Sequence, residues 1–507
     1  MVAEGGVGDD VYTVWSIARH RPTVAPIHRE KQMITVDDVL ARASSMSRLR
    51  RVALIALLSL GLTACGGGGG GGDGSGPDVA PSLPETTVAA AKMNDEDLNT
   101  ILFQAHEGDT ITLPAGRYVF NRSLKLSVNG LTIVGAGDGS DPASNTILSF
   151  KGASESNGVE ARYVKGVTFR KFAVEDVVGN AVFVAYSSDV VIDTVRAEWT
   201  DDPLHSSQMA YGLYPVTSDN VLITNSKAIG TRDAGVYVGQ SQNVRVIGNE
   251  AYFNVAGVEI ENSRNSMVEG NNVHDNTGGI LVFALPGAFR FLDNSGTVVR
   301  NNTVENNNRP LADTAQGFVR GVPPGTGVMA MAAQNTEVLG NSITGHKTAG
   351  ILAVSFQSLG IFFDPTTFDP YLRGFYAHDN TIVDFGAAPD GPFADPAGLA
   401  PLVSGLFAFL DASGLPARMP AVIWDGIVDA ATGSTGASGE GGQYTGNLQI
   451  CSKGNVTDLP VIPNVVSYEN IDIDLLALTQ GLSAGPIFPF PPRMDCTITL
   501  PPVTGLP

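Results

Sequence analysis

Short segments of alternating hydrophobic and polar residues, separated by Asn and Gly, recur through the middle of the chain. A segment related to Gly-Val-x-Val, with Asn or Asp eight residues after its first position, begins at Ala181, Gly212, Gly235, Gly257 and Gly327. Gly235, Gly257 and Gly279 are 22 residues apart, and each period contains two or three short strands. A period near 22 residues with Asn turns predicts a parallel β-helix.

Stacking of the coils determines which side chains form the core. One coil cannot bury its own apolar side, so coils stack at about 4.8 Å and align equivalent residues. The inward residues are predicted to be Val236, Val238, Val258, Ile260, Ile280 and Val282. Asn tolerates left-handed backbone and can bond its equivalent in the next coil, which predicts a ladder at one turn. Its members are Asn220, Asn243, Asn265 and Asn335.

The two ends of this solenoid have different patterns. Residues 94–106 combine an acidic start with apolar i, i+3, i+4 spacing, which predicts a helix that caps the N-terminal end of the core. The period decays after Val354, and residues 386–507 mix Pro-rich stretches with strand-like segments. We therefore predict an all-β solenoid over residues 92–385, followed by terminal strands and an irregular C-terminal cap.

Insertions interrupt the repeat near residues 198–210, 284–294 and 308–326, and the first and third precede the same strand. Loops on one side of a solenoid usually wall its binding face. One outward column on this strand is predicted to contain Phe183, Tyr214, Tyr237, Glu259, Leu281 and Met329. The neighbouring column contains Ala185, Val216, Gly239, Glu261, Phe283 and Met331.

Aromatic and carboxylate side chains on this outer face suit the binding of sugars. Tyr237 and Glu259 are predicted to lie one coil apart, and Glu259 and Glu261 could together hold Ca²⁺. The alternative is that both glutamates are solvated strand residues. The apolar members of the two columns are expected to be covered by the insertions or by the C-terminal segment, because a soluble monomer seldom exposes such a stripe.

Composition limits the classes of function. The chain has 31 Lys+Arg against 51 Asp+Glu, a formal net charge of −20. This balance argues against binding to nucleic acid, because phosphate contacts need clustered positive charge. Apolar residues make up 43% of the chain and charged residues 16%, so the chain can bury a large core.

Residues 46–64 have the features of an export signal. Three arginines precede the apolar run 52–62, which is too short to span a membrane. Leu62-Thr-Ala-Cys65 resembles the bacterial lipoprotein signal, which implies a lipid anchor on Cys65 and, with Gly66 next, sorting to the outer membrane of a Gram-negative bacterium. An ordinary signal peptide or a membrane-anchoring helix is the alternative.

The export signal divides the N-terminal region. Residues 1–45 are predicted to be a misassigned start or a dispensable extension, and residues 65–91 a Gly-rich flexible tether. Without residues 1–64 the chain has 23 basic and 45 acidic residues, a formal charge of −22. Cys451 and Cys496 then remain as a pair that could form a disulfide in an oxidising compartment or stay as buried thiols.

The motif Tyr211-Gly-Leu-Tyr-Pro-Val216 resembles the Tyr-Gly-Phe-Asp-Pro-His motif of bacterial mannuronan C5-epimerases. Tyr214 stands at the position of the catalytic Asp of that family and Val216 at the position of its His. His205, on the adjacent insertion, could substitute for the missing histidine. Residues from about 110 to 380 also resemble right-handed parallel β-helix proteins that act on polysaccharides, including lyases. The pattern as a whole resembles exported β-helix repeat lipoproteins.

These resemblances imply a lipid-anchored protein that binds or modifies a polysaccharide, with a lyase- or epimerase-like groove. The predicted catalytic residues are Tyr211, Tyr237 and Glu259, and the predicted substrate-binding residues are Tyr214, Arg232, Glu261, Arg264 and His205. A polyuronate would be repelled by the acidic chain, which favours a Ca²⁺-assisted site or a neutral ligand. The alternative function is a non-catalytic surface scaffold or adhesin that binds a protein partner. The protein is expected to be a monomer.

Overall fold

The computed structural model describes residues 85–203, 207–311, 313–315, 317–429, 448–459, 469–473 and 492–506. The predicted export signal, Cys65 and most of the predicted tether lie outside the described residues, and so does His205. No helix within these ranges is both long and apolar enough to cross a membrane.

The described chain consists almost entirely of short strands. In chain order they are β1 (Glu85–Thr87), β2 (Thr110–Thr112), β3 (Gly116–Val119), β4 (Leu124–Leu126), β5 (Thr132–Val134), β6 (Thr146–Ser149), β7 (Asn157–Arg162), β8 (Thr168–Glu175), β9 (Asn180–Ala185), β10 (Ser188–Glu198), β11 (Tyr211–Val216), β12 (Asp219–Thr224), β13 (Lys227–Ile229), β14 (Ala234–Gly239), β15 (Gln242–Ile247) and β16 (Glu250–Tyr252). They continue as β17 (Ala256–Glu261), β18 (Arg264–Glu269), β19 (Asn272–His274), β20 (Gly278–Phe283), β21 (Ser295–Arg300), β22 (Thr303–Glu305), β23 (Thr326–Met331), β24 (Gln334–Leu339), β25 (Ser342–His346), β26 (Ala349–Val354), β27 (Arg373–His378), β28 (Thr381–Phe385), β29 (Val422–Trp424), β30 (Ile450–Lys453), β31 (Val456–Thr457) and β32 (Asn470–Asp472).

All of these strands pair in parallel with strands of the neighbouring coils. One sheet has 11 strands in the order β4-β7-β9-β11-β14-β17-β20-β23-β26-β29-β32. The other 21 strands form a second hydrogen-bonded sheet. Within it, strands of successive coils pair in stacks, for example β12–β15–β18–β21 and β13–β16–β19–β22. Each coil thus adds one strand to each stack, which confirms the predicted all-β parallel β-helix.

The register within the 11-stranded sheet is the one predicted from the repeat. Val236 pairs with Val258 and Val258 with Ile280, and all three are fully buried in one continuous core. On the outer face, Tyr237 pairs with Glu259 and Glu259 with Leu281. The alternation of side chains along β14, β17 and β20 therefore separates the core from the outer face as expected.

Asn ladders support several of the turns. In the predicted ladder, Asn243 donates to Asn220 at 3.0 Å and Asn265 donates to Asn243 at 2.7 Å. The next coil has Gly296 at this position, so the ladder is interrupted, and Asn335 donates instead to Ser295. A second, buried ladder was not predicted and contains Asn249, Asn271, Asn302, Asn341, Asn380 and Asn455.

The described residues also include two helices and several short turns of 3-10 helix, at the ends of the solenoid and in its insertions. Helix α1 (Asp95–Gln104) begins at Asn94, whose side chain accepts a hydrogen bond from the Asp97 amide. Its Leu98 and Leu102 are buried in the core. Helix α2 (Ala400–Ala412) follows β28, and four single turns of 3-10 helix cover Ala90–Lys92, Gly317–Gly321, Phe356–Leu359 and Gly391–Phe393.

The C-terminal segment is attached to the solenoid by a disulfide and by hydrogen bonds. Cys451 on β30 forms a disulfide bond with Cys496. Farther along, the backbone of Thr504 exchanges two hydrogen bonds with the side chain of Asn265, at 2.7 and 3.2 Å. The segment therefore runs back along the coils from β30 to the start of β18.

Candidate functional site

Six polar side chains meet on the outer face of the 11-stranded sheet, at strands β11, β14 and β17. We call them the acid–tyrosine cluster, and they are Tyr211, Tyr214, Asp233, Tyr237, Glu259 and Glu261. Tyr237 and Glu259 face outward because they alternate with inward valines and isoleucines in paired register. Tyr211, Tyr214 and Glu261 are partly exposed, whereas the other three are buried.

The three tyrosine rings of the cluster pack against one another. The rings of Tyr211 and Tyr214 are stacked, with centroids 4.4 Å apart. Tyr237 lies against both, at 5.0 Å from Tyr211 and 4.6 Å from Tyr214. Phe183 of the preceding coil extends this group, 5.4 Å from Tyr214. Burial raises the pKa of each tyrosine hydroxyl, so all three stay protonated and act as hydrogen-bond donors.

The position of Tyr237 depends on a glycine two residues later. A Cβ atom at Gly239 would collide with the hydroxyl oxygen and with ring atoms of Tyr237. The ring therefore lies over Gly239, which pairs with Glu261 of the next coil. This arrangement brings the Tyr237 hydroxyl beside Glu261, where it lowers the pKa of that carboxyl.

The three carboxyl groups have strongly perturbed protonation equilibria. Burial raises the pKa of Asp233 to about 7, opposed by the Tyr211 hydroxyl, which donates to Oδ2 at 3.0 Å. Burial also raises the pKa of Glu261 to about 7. Glu259 is only 2% exposed, and burial together with Asp233 and Glu261 raises its pKa well above the usual range. The cluster therefore contains both neutral and ionised carboxyl groups near neutral pH.

Two buried oxygens of the cluster lack partners. Oδ1 of Asp233 and Oε2 of Glu259 have no hydrogen-bond partner among the described residues. Arg232 lowers the pKa of Asp233 by its charge but does not offset the effect of burial. Unpaired buried carboxyl oxygens are costly, and they are concentrated where a protein needs a reactive group.

Loops close the site on two sides. The guanidinium group of Arg232 donates to the backbone carbonyls of Gln208 at 3.2 Å and of Thr314 at 3.4 Å. Arg232 thus connects the first insertion to the third. The insertion at 284–294 is held by Gln240, whose side chain accepts from the amides of Phe289 and Arg290.

The apolar part of the outer face is covered, as expected. Leu281, Phe283, Met329 and Met331 are all at most 3% exposed. A small cavity of about 60 Å³ remains over Met329, between the segments that contain Gly321 and Leu359. The outer face is therefore covered at β20 and β23, next to the cluster.

The remaining predicted site residues lie in different places. Arg264 is at the start of β18, outside the 11-stranded sheet, where it pairs with Asp293 at 2.5 Å and lies over the ring of Phe291. The alternative that Glu259 is solvated is wrong, since it is buried. The described ranges contain no group of three or more His, Cys, Asp or Glu side chains arranged to hold a metal ion. A Ca²⁺ site at Glu259 and Glu261 stays a prediction.

Asp233 was not among the residues predicted for the site. It directly precedes β14, at the position that is occupied by Ala210 before β11, Val255 before β17 and Thr277 before β20. The equivalent positions hold small or apolar residues. An ionisable side chain at this position could therefore have indicated a functional residue.

Comparisons with known proteins bear on the fold. Residues 200–368 match the family model described as a right handed beta helix region. No curated protein matches the chain. The A-module of mannuronan C-5 epimerase AlgE4 from Azotobacter vinelandii is similar at 16% identity, over 71% of this chain and 89% of that one, with a TM-score of 0.39.

Two further solved structures have sequence identities and TM-scores close to these values. An alginate lyase from Paenibacillus sp. str. FPU-7 is 15% identical, over 59% of this chain and 94% of that one, with a TM-score of 0.36. The C387A mutant of DFA-IIIase from Arthrobacter chlorophenolicus A6 is 15% identical, over 76% and 97% of the two chains, with a TM-score of 0.38. The family model thus supports the right-handed β-helix predicted from the sequence. The chain is an all-β protein built on a right-handed parallel β-helix.

Proposed function

We propose that this protein binds a neutral polysaccharide along the outer face of the 11-stranded sheet and hydrolyses a glycosidic bond at the acid–tyrosine cluster. The observation that carries the proposal is the group of three interacting carboxyls, two with a pKa of about 7, beside three protonated tyrosines. Glycoside hydrolysis requires one carboxylic acid and one carboxylate at the scissile bond. A cluster that shares protons near neutral pH supplies both.

The surroundings suggest a role for each carboxyl. Asp233 receives the Tyr211 hydrogen bond and the field of Arg232, and both favour its ionised form. Asp233 is therefore the proposed general base that removes a proton from the attacking water. Glu261 is partly exposed and is the proposed general acid. It gives its proton to the leaving glycosidic oxygen, while the water oxygen bonds to the anomeric carbon and the old carbon–oxygen bond breaks.

Glu259 has a supporting role in this scheme. It is almost inaccessible, and burial beside Asp233 and Glu261 raises its pKa, which favours the neutral form. As a neutral group it does not add a third charge beside Asp233 and Glu261, which limits the repulsion within the cluster.

Electrostatics favours a neutral glycan over a uronate. Lyases and epimerases of uronates must neutralise the substrate carboxylate before the adjacent proton is removed. Here that carboxylate would lie beside three protein carboxyls in a chain with a formal charge of −20. A neutral sugar avoids this repulsion and can stack on the tyrosine rings.

The test is an activity screen with the full chain. Neutral β-glucan, mannan, galactan and fructan are assayed for new reducing ends, and alginate and pectate for absorbance at 232 nm, with and without Ca²⁺. We expect reducing ends from a neutral glycan, and a loss of at least about 100-fold in Asp233→Asn and Glu261→Gln. Glu305→Gln, a carboxyl-to-amide change on β22, is the control with unchanged activity.

Other results of the screen would point to other functions. An increase at 232 nm on a uronate would overturn hydrolysis and favour the lyase reaction. If the wild-type protein formed no product from any glycan, the proposed enzymatic activity would be rejected. The adhesin or scaffold function would then remain.

We also propose that the protein is exported and anchored by a lipid on Cys65. The sequence of residues 46–65 supports this, and the Cys451–Cys496 disulfide is compatible with an oxidising compartment. Labelled palmitate should enter the wild-type protein in a Gram-negative host but not Cys65→Ser. Label in the variant, or none in the wild type, would contradict the anchor.

A further inference from the structure

Two exposed tyrosines stack on each other beyond the acid–tyrosine cluster. Tyr163 and Tyr186 have parallel rings, with centroids 5.0 Å apart and planes inclined by 7°. Tyr163 is 74% exposed and Tyr186 is 44% exposed. We call them the tyrosine pair. Both belong to the exposed large hydrophobic side chains of the described residues, so burial in the core does not account for them.

The backbone at these two positions does not favour tyrosine. Tyr163 has φ of 57° and Tyr186 has φ of 53°, both in the left-handed region. The equivalent positions after the next strands of the sheet are Thr217, Gln240 and Asn262, also with positive φ. This turn therefore repeats from coil to coil and is best suited to Asn or Gly. A bulky ring in two successive coils, in a strained conformation and in solvent, is an outlier that points to a function.

The tyrosine pair lies on the side of the molecule that carries the cluster. Tyr163 directly follows β7 and Tyr186 directly follows β9, and β9 pairs with β11 of the cluster. Between the pair and the cluster, the guanidinium group of Arg162 lies 4.5 Å from the ring centroid of Phe183. From Tyr163 to Glu261 the face extends over four coil steps, about 19 Å at 4.8 Å per step. That length accommodates several sugar residues of one extended chain.

We propose that the tyrosine pair is a second sugar-binding subsite, which holds the same polysaccharide at a distance from the cluster. This inference rests on the proposed function. Stacked tyrosine rings present flat apolar surface to the C–H face of a pyranose or furanose ring, and their hydroxyls can bond its hydroxyl groups. A subsite remote from the reacting bond anchors long chains more than short ones.

Substitution by asparagine provides the test, because asparagine suits the left-handed turn and should preserve the fold. The full chain carries Asp233→Asn and Glu261→Gln to prevent turnover, and binding is measured as retardation in gels that contain β-glucan, mannan, galactan or fructan. Adding Tyr163→Asn and Tyr186→Asn should weaken binding to the retarding polysaccharide by at least 10-fold. Tyr163→Phe and Tyr186→Phe are the matched controls and should retain most of the binding, since they keep the ring.

A second measurement separates the subsite from the cluster. In the otherwise wild-type protein, Tyr163→Asn with Tyr186→Asn should raise KM for the long polysaccharide and leave the hydrolysis of a trisaccharide unchanged. Unchanged polymer binding with intact activity would overturn the subsite while the proposed function stands. Absence of glycan binding and activity in the wild-type protein would overturn both. If the variant with Tyr163→Asn and Tyr186→Asn had a lower melting temperature than the wild type, the tyrosine pair would have a structural role. This result would also overturn the subsite.

Discussion

The hydroxyl group of Tyr211 donates a hydrogen bond of 3.0 Å to Oδ2 of Asp233. This bond favours the ionised carboxylate and so opposes the effect of burial, which raises the pKa of Asp233 to about 7. The tyrosine therefore controls the protonation of the proposed general base. Oδ1 of Asp233 has no partner among the described residues, and the Tyr211 hydroxyl is the largest of the interactions that favour the carboxylate, ahead of the charge of Arg232 and the backbone amide of Ala234.

Tyr211→Phe should raise the pKa of Asp233 above about 7. Activity that depends on ionised Asp233 would then begin at higher pH, so the acid limb of the profile of kcat/KM should shift upward by about 1 pH unit. Tyr252→Phe is a matched control, since Tyr252 lies on β16 and stacks on His274, outside the cluster. An unchanged acid limb in Tyr211→Phe would exclude Asp233 as the base.

Glu259 should destabilise the fold at neutral and alkaline pH. Its pKa in the folded protein is raised well above the ordinary value of 4.5. The folded state therefore holds a proton that the unfolded state releases, and stability falls as the pH rises above about 4.5 and through the folded pKa. Glu259→Gln removes this loss and should increase the free energy of unfolding by about 1–3 kcal/mol at pH 8, with little effect at pH 4.

The measurement is urea unfolding of wild type and Glu259→Gln at pH 4, 6 and 8. Glu269→Gln is the control, because Glu269 is partly exposed and paired with Arg300 at 3.0 Å. Equal stability gains at pH 4 and pH 8 would show that the carboxyl of Glu259 is not the source of the effect.

Gly239 should tolerate no side chain. A methyl group there would collide with the ring and hydroxyl of Tyr237, so Gly239→Ala should destabilise the fold by about 1–3 kcal/mol and displace the hydroxyl from Glu261. Gly405→Ala on α2 is the control, because a methyl group at that position meets nothing within 4 Å. It should leave stability unchanged or raise it by up to about 1 kcal/mol. Unchanged stability and activity in Gly239→Ala would contradict this account of Tyr237.

Sequence periodicity predicted the coils because every coil repeats the same alternation. Once Val236 and Val258 are assigned to the core, Tyr237 and Glu259 must face outward in adjacent coils, and the structure has this register. The position of Arg264 was harder to infer. It follows Glu261 by three residues, but the turn between them carries it into the next strand, where it pairs with Asp293.

The burial of the site could not be derived from the period. Glu259 is buried although its strand position faces outward, and insertions of irregular conformation border the site. Asp233 lies in a turn, where alternation does not fix the direction of a side chain. Its contact with the cluster is seen in its hydrogen bond with Tyr211, a residue of the preceding coil.

His346 should make the protein sensitive to acid. Asn307 donates a hydrogen bond to Nε2 of His346 at 3.0 Å, at a turn where Asn254, Asn276 and Asn307 form a ladder in the preceding coils. The imidazole is fully buried, and burial lowers its pKa from 6.5 to about 3. Protonation at Nε2 would break this bond and place a charge in the core.

Since the pKa of His346 is lower in the folded than in the unfolded protein, its contribution to stability is present above pH 6.5 and is lost as the pH falls toward 3. The loss amounts to at most about 5 kcal/mol. His346→Asn replaces the imidazole by the residue of the preceding coils and should reduce this acid sensitivity. The difference in unfolding free energy between variant and wild type should therefore grow in favour of the variant from pH 7 to pH 4. His378→Asn is the control, because His378 is paired with Glu337 and Asp379 outside the core. A constant difference over this range would mean that His346 does not titrate as a buried neutral group.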